Sequence, residues 1–477
     1  MTATKIIATI GPRTADRDML AALHQKGMSV ARLNGSHADL DWHRTTIALI
    51  RETLPDVPIL LDIPGRKIRT GLLSHEPTFK TGDRIILSSE TGHDGQEKVS
   101  VNYPQLHEDL SAGDTILADD GTLRFTVEKV SGRDIFCRTE VDGTLKSSKG
   151  INVPMVALKT PMVTDRDHEM VAFAKDNGVD FIGISFVESA AHIEAIREII
   201  RGSWPRVVSK VENRGGMQNL DEIVRATDAV MIDRGDLSVE TSLETLAISQ
   251  KQIIRAANAV GVPVIVATEM LHTMIENPFP TKAEVSDITN AILDGAAATM
   301  LSGETAIGKY PLETLETMQR ISATAAGHFE ENTRSVGAAQ SGREGVPEAM
   351  EDAIATICRS IAVTKIVAIT ISGYAARMLS ARRPDQPIIA VSNDQMAARS
   401  FHLMAGVEGV YLDIPFPRDS TDHVATCLRH LWSSGKLHED DLVLVTAVGF
   451  PRSGNRMNLI QTHHISDLIE TLDWKNS

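Results

Sequence analysis

The stretch that decides the fold is RVVSKVEN at Arg206–Asn213, followed after a helix-like run at Gly215–Arg225 by AVMIDRGDL at Ala229–Leu237. Two short apolar runs, Val207–Val208 and Ala229–Ile232, read as buried parallel strands, and each ends abruptly in charge. Alternate residues of an extended chain face the same way, so Lys210 and Glu212 share one side of the first strand end. Asp233, Arg234 and Asp236 follow the second strand. Two carboxylates, Glu212 and Asp236, with a lysine beside them suit a divalent metal that holds an anion. Mg²⁺ prefers one or two carboxylates plus substrate oxygens, and a lysine can neutralise a phosphoryl group in flight. The same residues also suit a surface ion-pair cluster at a barrel rim, so the other strand ends have to decide between the two.

Working outward, strands and helices alternate in both directions. Upstream lie strands at Lys5–Ile10, Ser29–Leu33 and Pro58–Leu61, with helices at Asp16–Gln25 and Leu40–Leu54, the latter stopped by Pro55. Between Gly71 and about Pro154 the chain turns rich in Thr, Ser, Gly and Asp, with period-2 runs at Arg84–Leu87, Leu123–Val130 and Asp134–Thr139. The DDG at Asp119–Gly121 signals a hairpin turn, and the segment reads as an all-β insert. The alternation resumes with helix Asp165–Asn177 and strand Asp180–Ile184. Beyond the central stretch come helix Leu243–Val260, strand Pro263–Ala267, helix Lys282–Asp294, strand Ala298–Leu301 and helix Pro311–Glu330. Eight βα units interrupted once after the third strand predict a (β/α)8 TIM barrel, whose chemistry sits at the C-terminal strand ends. Asn332–Pro347 reads as a linker. Beyond it, helix Glu348–Ala362 and strands Lys365–Ile371, Pro387–Ser392, Gly409–Leu412 and Asp441–Thr446 predict a doubly wound α/β domain. The expected division is therefore α/β throughout: a catalytic barrel from 1–70 and 155–330, an inserted β-barrel-like lid at 71–154, and a C-terminal domain at 347–477.

Composition narrows the function. A formal charge of −15 argues against non-specific nucleic-acid or membrane-surface binding, so an anionic substrate must meet a local basic island. Cys137, Cys358 and Cys427 are dispersed, odd in number and without CxxC spacing, which predicts a reducing compartment and no structural zinc. MTATKIIATIGP has no long apolar core of a signal peptide and no run reaches transmembrane length, so a cytoplasmic protein is expected.

The inferred strand ends carry Arg32, Asn34 and Ser36; Asp62, Lys67 and Arg69; Ser185; Lys210 and Glu212; Asp233, Arg234 and Asp236; Thr268 and Glu269; and Ser302, Glu304 and Lys309. Metal-type carboxylates, fixed cations and hydroxyls converging on one mouth are what phosphoryl transfer asks for. Gly303–Lys309 fits GxxxxGK, but residue 310 is Tyr where a phosphate-binding loop needs Ser or Thr, and the run follows the last barrel strand. There is no HExxH and no GxSxG.

Taken together, ATIGP (Ala8–Pro12), VARLNGSH (Val30–His37), LDIPGRKIRTG (Leu61–Gly71), KGINVP (Lys149–Pro154), NGVDFIGISFV (Asn177–Val187), SKVEN (Ser209–Asn213), RGDL (Arg234–Leu237), VATEML (Val266–Leu271), NPFPTKAEVSDI (Asn277–Ile288) and MLSGETAIGKYP (Met300–Pro311) closely resemble the pyruvate kinase family over essentially the whole chain. The resemblance implies phosphoryl transfer from phosphoenolpyruvate to ADP, giving ATP and pyruvate, the final step of glycolysis. By the same resemblance, Lys210 stabilises the migrating phosphoryl group and Glu212 and Asp236 bind Mg²⁺ (or Mn²⁺). The backbone N–H groups of Gly235 and Asp236 hold the substrate carboxylate, and Ser302 joins the substrate-binding set. Thr268 helps deliver a proton to the enolate, and Arg32 bridges phosphates. Asn34, Ser36 and Asp62 form a monovalent-cation shell. His37, Arg69 and Lys149 face the nucleotide, and the β insert closes over the site.

Departures from the family pattern carry expectations of their own. Lys67 stands where many members have Glu, and a fixed ammonium there can replace K⁺, so K⁺ should not be required. Asp233 stands where Ala is usual before RGD, Glu269 where Gln is usual, Gly35 where Phe is usual, and Ser238 in place of a Gly. These substitutions leave open a related phosphotransferase acting on another enol-type substrate, or a weakly catalytic metabolite-sensing paralogue. Thr370, Ser372 and Gly373 resemble part of an effector loop, and the family's common assembly predicts a homotetramer.

Overall fold

In the computed structural model, residues 4–119, 121–154, 156, 158–159, 161–328, 345–417, 419–449 and 457–475 are described. Eight parallel strands close on one another: Lys5–Thr9, Met28–Asn34, Ile59–Ile63, Phe181–Ile184, Arg206–Val211, Ala229–Asp233, Val264–Ala267 and Ala298–Leu301. Each pairs with its neighbours in sequence, and the last closes onto the first, Lys5 opposite Ala298 and Ala8 opposite Leu301. The TIM barrel expected from the sequence is thus present. Period-2 geometry sends Ile7, Val30, Leu60, Val208 and Met231 to the barrel interior. It sends Ile6, Ala31, Leu61, Val207, Val230 and Ile232 outward under the helices. Both faces being apolar is why these strands read as continuous hydrophobic runs.

Several helices begin where short polar side chains satisfy free backbone N–H groups. Asp16 caps Arg17–Gln25 by accepting from Met19, and Thr164 and Thr281 form capping boxes with Asp167 and Glu284. Two details differ from the sequence reading. A helix at Ala190–Ile200 stands between the fourth and fifth strands, and the run Gly215–Arg225 is two helices, Arg214–Gln218 and Leu220–Ala226, meeting at Asn219. A Cβ at Gly216 would lie only 2.8 Å from the Val187 carbonyl oxygen, so the first of these helices starts pressed against the preceding loop.

After the third strand, Ile68–Arg69 leaves the barrel and pairs antiparallel with Gly150–Asn152, so the entry and exit of the insert are hydrogen-bonded to each other. These two belong to a seven-stranded sheet over a core of Leu87, Ile116, Phe125, Ile135 and Cys137. The hairpin expected at Asp119–Gly121 joins Thr115–Ala118 to Leu123–Ser131, with Gly121 at φ +83°.

The C-terminal sheet has four parallel strands, Val407–Tyr411, Ile388–Ser392, Lys365–Ile369 and Leu442–Ala447. A fifth, Leu459–His464, is antiparallel at the edge and escaped the sequence reading because LIQTHH carries little apolar signal. This sheet's layer packs on the N-terminal end of the barrel. Leu403 joins the barrel's interior cluster. Arg399 Nε donates to buried Asp180 (2.8 Å), which also accepts from Arg51 and from Ile59 N–H (2.8 Å). Arg383 donates to the Gly295 carbonyl (2.9 Å) and to that of Ala296. The opposite, C-terminal mouth of the barrel is left to the charged strand ends. The linker expected at Asn332–Pro347 falls, up to residue 344, outside the described residues. Among the described residues no helix is long and apolar enough to cross a membrane.

Candidate active site

Strand periodicity fixes the centre of the site. Val208 points into the barrel, so Lys210 and Glu212 follow it inward, and Ala229, Met231 and Asp233 do the same on the next strand. Lys210 Nζ lies 3.1 Å from Glu212 Oε2, 3.2 Å from Asp233 Oδ2 and 3.4 Å from Ser185 Oγ. Burial alone would strip the proton from Lys210, but Glu212, Asp233, Asp62 and Asp236 more than reverse that and hold it protonated, above its ordinary range. Burial pushes the Glu212 carboxyl upward, against the pull of Lys210. Asp236, in the first turn of helix Arg234–Glu240, is raised by burial and by Asp233, with Lys67 and Lys210 opposing. Asp233 goes the other way, because Lys210 and Lys67 outweigh its burial.

One oxygen each from Glu212, Asp233 and Asp236 fall within 4.8 Å of one another. Glu212 Oε1 accepts from Phe186 N–H (2.7 Å), whereas Oε2 is buried without a hydrogen-bond partner. A hard divalent cation suits this donor set, which is all oxygens, buried and closely spaced.

Thr268 and Glu269 hold left-handed backbone (φ +65° and +54°), which a β-branched residue rarely adopts. Arg234 keeps them there: its guanidinium donates to the carbonyls of Thr268 (2.8 Å) and Glu269 (3.2 Å) and pairs with Asp287. The Thr268 hydroxyl is thereby brought within 3.0 Å of Gly235 N–H, from which it accepts. Arg32 is buried with Nε 2.8 Å from Asp62 Oδ2, and its Nη1 donates to Thr9 Oγ1 (3.1 Å). Asp62 Oδ1 is buried and unpartnered. Asn34 Oδ1 accepts from Ser36 N–H (3.1 Å). Burial first, then the charges of Arg69 and Arg32, lower the His37 pKa. Arg69 donates to the Ser148 carbonyl (3.0 Å), next to Lys149, whose ammonium pairs with Asp119 at 2.6 Å.

Lys67 goes elsewhere than its sequence neighbours suggest. Its hydrogen bonds run to both oxygens of Asp236 (2.6 and 2.7 Å) rather than to Asn34, Ser36 or Asp62. It passes against Gly150 of the insert, where a methyl group would meet its Cε at 2.9 Å. Ser302 N–H donates to Glu304 Oε2 (2.7 Å), and Glu304 Oε1 accepts from Leu271 N–H (3.2 Å), so Glu304 ties two rim loops together. Lys309 pairs with Glu276. Thr370, Ser372 and Gly373 are not part of this mouth; Gly373 N–H donates to Thr370 Oγ1 (3.1 Å), and the Ser372 carbonyl accepts from Arg206 (2.8 Å) at the start of the fifth barrel strand. Sequence reasoning missed the latch between the insert and the barrel, Asn152 Nδ2 to Glu240 Oε1 at 2.6 Å, on the helix that carries Asp236.

Comparison with known proteins decides the family. The profile described as pyruvate kinase, barrel domain, matches residues 1–315, and that described as pyruvate kinase, alpha/beta domain, matches residues 348–463. The chain belongs to the pyruvate kinase family. It is 38% identical to a pyruvate kinase of Geobacillus stearothermophilus over 98% of this chain and 81% of the relative. It is 37% identical to one of Clostridium perfringens over 95% and 97%, and 36% identical to one of Thermococcus litoralis over 96% and 98%. As a member of the pyruvate kinase family the chain is a phosphotransferase. Its Gly35 has a structural reason: a Cβ there would lie 2.6 Å from the Asp62 carbonyl oxygen and 2.6 Å from Met170 Cε. Gly35→Ala should therefore cost about 1–3 kcal/mol of stability by overpacking, visible as a lowered denaturation temperature. An unchanged midpoint would show that this loop yields freely.

Proposed function

We propose that this protein transfers the phosphoryl group of phosphoenolpyruvate to ADP, as the final step of glycolysis in the cytoplasm, with Mg²⁺ or Mn²⁺ and without a need for K⁺. The observation that carries the reading is the buried Lys210 ammonium, fixed among Glu212, Asp233 and Ser185 beside Asp236. A divalent cation held by Glu212 and Asp236 would supply positive charge to the substrate's carboxylate and phosphoryl oxygens. Lys210 adds a second, permanent positive charge where the phosphoryl oxygens pass. The bond from phosphorus to the enol oxygen breaks as a bond to a terminal oxygen of ADP forms. The enolate left behind takes a proton on its methylene carbon, delivered through water ordered by the Thr268 hydroxyl. Arg32, Arg69, His37 and Lys149 meet the nucleotide phosphates, Gly235, Asp236 and Ser302 the carboxylate end. The division into barrel, lid (71–154) and C-terminal domain is part of the same proposal, with the Asn152–Glu240 contact joining lid and site. So is the homotetramer, for which exposed Leu243 and Ile248 on neighbouring helical turns offer apolar surface. A loop at Thr370–Gly373 that binds a phosphorylated effector is proposed on the resemblance alone.

The test is a lactate-dehydrogenase-coupled assay with phosphoenolpyruvate, ADP and Mg²⁺, with and without K⁺. Turnover in both supports the whole reading. Turnover only with K⁺ removes the K⁺ independence, and none in either removes the substrate.

A further inference from the structure

We propose that Asp233 supplies a third carboxylate to the divalent-cation site of Glu212 and Asp236, with Lys67 offsetting the added charge; this rests on the phosphotransferase reading above. Asp233 is the last residue of the sixth barrel strand and, by alternation from Ala229 and Met231, faces the barrel axis. It occupies the N-cap position of helix Arg234–Glu240, where an Asp would ordinarily accept a hydrogen bond from the first turn, yet its side chain makes no capping bond. The carboxylate is turned into the mouth instead, 8% exposed, with an oxygen inside the 4.8 Å group formed with Glu212 and Asp236.

A second observation points to a ligand at that spot. Glu212 is fully buried, and its Oε2 meets only the Lys210 ammonium, 3.1 Å away, without an aligned hydrogen bond. A buried carboxylate oxygen has room for more than one such partner, so Oε2 keeps a lone pair for a metal cation beside Lys210. Charge counting agrees. Once a bound cation has displaced any proton they retain, Glu212, Asp233 and Asp236 bring three negative charges, and the two ammonium groups that touch them, Lys210 and Lys67, return two. Removing Asp233 would leave a pair of carboxylates neutralised by the same two lysines, with little left to attract a cation before substrate arrives. With Asp233 present, the site keeps one net negative charge among three oxygens. It should therefore load a divalent cation in the absence of phosphoenolpyruvate, and the substrate then enters a site already charged for it.

The experiment is direct Mn²⁺ binding to the substrate-free protein, read from the free-ion paramagnetic resonance signal and from the Mn²⁺-induced rise in denaturation temperature. The parent should bind. Asp233→Asn, which keeps size and shape, and Asp233→Ser should bind about 10–100-fold more weakly and lose most of the thermal shift. Parent and Asp233→Asn binding Mn²⁺ equally well would overturn the proposal, whatever happens to turnover. Equal binding with lowered kcat would assign Asp233 instead to positioning Lys210, and so would also overturn it. A parent that turns over phosphoenolpyruvate but binds no Mn²⁺ without it sinks this inference and leaves the function standing. A parent with neither activity nor binding sinks the functional reading itself.

Discussion

Lys210→Met should leave a folded protein whose kcat for phosphoryl transfer is down by at least about a hundredfold to a thousandfold. Methionine matches the lysine stem in length and apolarity, so the change removes charge with little change of shape. The size of the effect follows from where the charge sits. Lys210 is 6% exposed, and in such a water-poor site a positive charge acts on a phosphoryl oxygen with far less screening than at a surface. Its geometry is fixed in advance by Glu212, Asp233 and Ser185, so no reorganisation is needed as charge develops. Because the surrounding carboxylates raise its pKa above the ordinary lysine value, Lys210 stays protonated through the assay range of about pH 6–9. The deficit of the variant should therefore be flat across that range. A second readout separates roles: exchange of pyruvate methyl protons with solvent, the step proposed for Thr268, needs no phosphoryl transfer, so it should fall much less than kcat. Surviving turnover in Lys210→Met would mean that another group stabilises the phosphoryl oxygens. A deficit that closed at one end of the pH range would mean that Lys210 titrates and that the carboxylates do not hold it charged.

How far the sequence reaches into this site depends on which physical rule places each residue. Strand periodicity is local and strict, so Lys210 and Glu212 could be assigned to one side from their spacing alone, and the buried Val208 confirms the direction. The barrel was legible for the same reason: its strands are apolar on both faces, and capping residues such as Asp16 and Thr164 announce the helices. The helix Ala190–Ile200 was not, since its cap, Ser189, makes no capping bond and its start lies in a small-residue run. Asp233 could be seen as out of pattern, but only the side-chain direction shows that one of its oxygens lies with those of Glu212 and Asp236. The left-handed backbone at Thr268 and Glu269 has no sequence signal at all, because Arg234 imposes it from a different loop. Nor does the contact between Asn152 and Glu240, 88 residues apart, since it exists only once the insert has folded back onto the barrel.

On the proposed K⁺ independence, Lys67→Glu should lose at least about a hundredfold of its activity in K⁺-free buffer and recover much of it when K⁺ is added. The path of the side chain sets the size of the effect. Gly65, at φ +60° and tight against Ser185, turns the chain after the third strand, and Gly150 leaves room for the lysine stem beneath the insert. The ammonium then reaches Asp236 with two hydrogen bonds, only 15% of the side chain being exposed. Replacing it with a carboxylate changes the local charge by two units and leaves Asp236 facing a like charge. Breaking a buried pair in this way costs about 3–5 kcal/mol, enough to disable the site by two decades or more. A monovalent cation is the smallest species that can restore the lost charge, and the buried, unpartnered Asp62 Oδ1 near Arg32 offers it an oxygen. Na⁺, smaller and more tightly hydrated, should restore less, and Lys67→Met should lose activity that no monovalent cation brings back fully, because it supplies no oxygen to hold one. Assays in tetramethylammonium buffer with graded K⁺ measure this directly. A Lys67→Glu variant as active without K⁺ as with it would show that the Lys67–Asp236 pair only packs the junction of insert and barrel and does not stand in for K⁺.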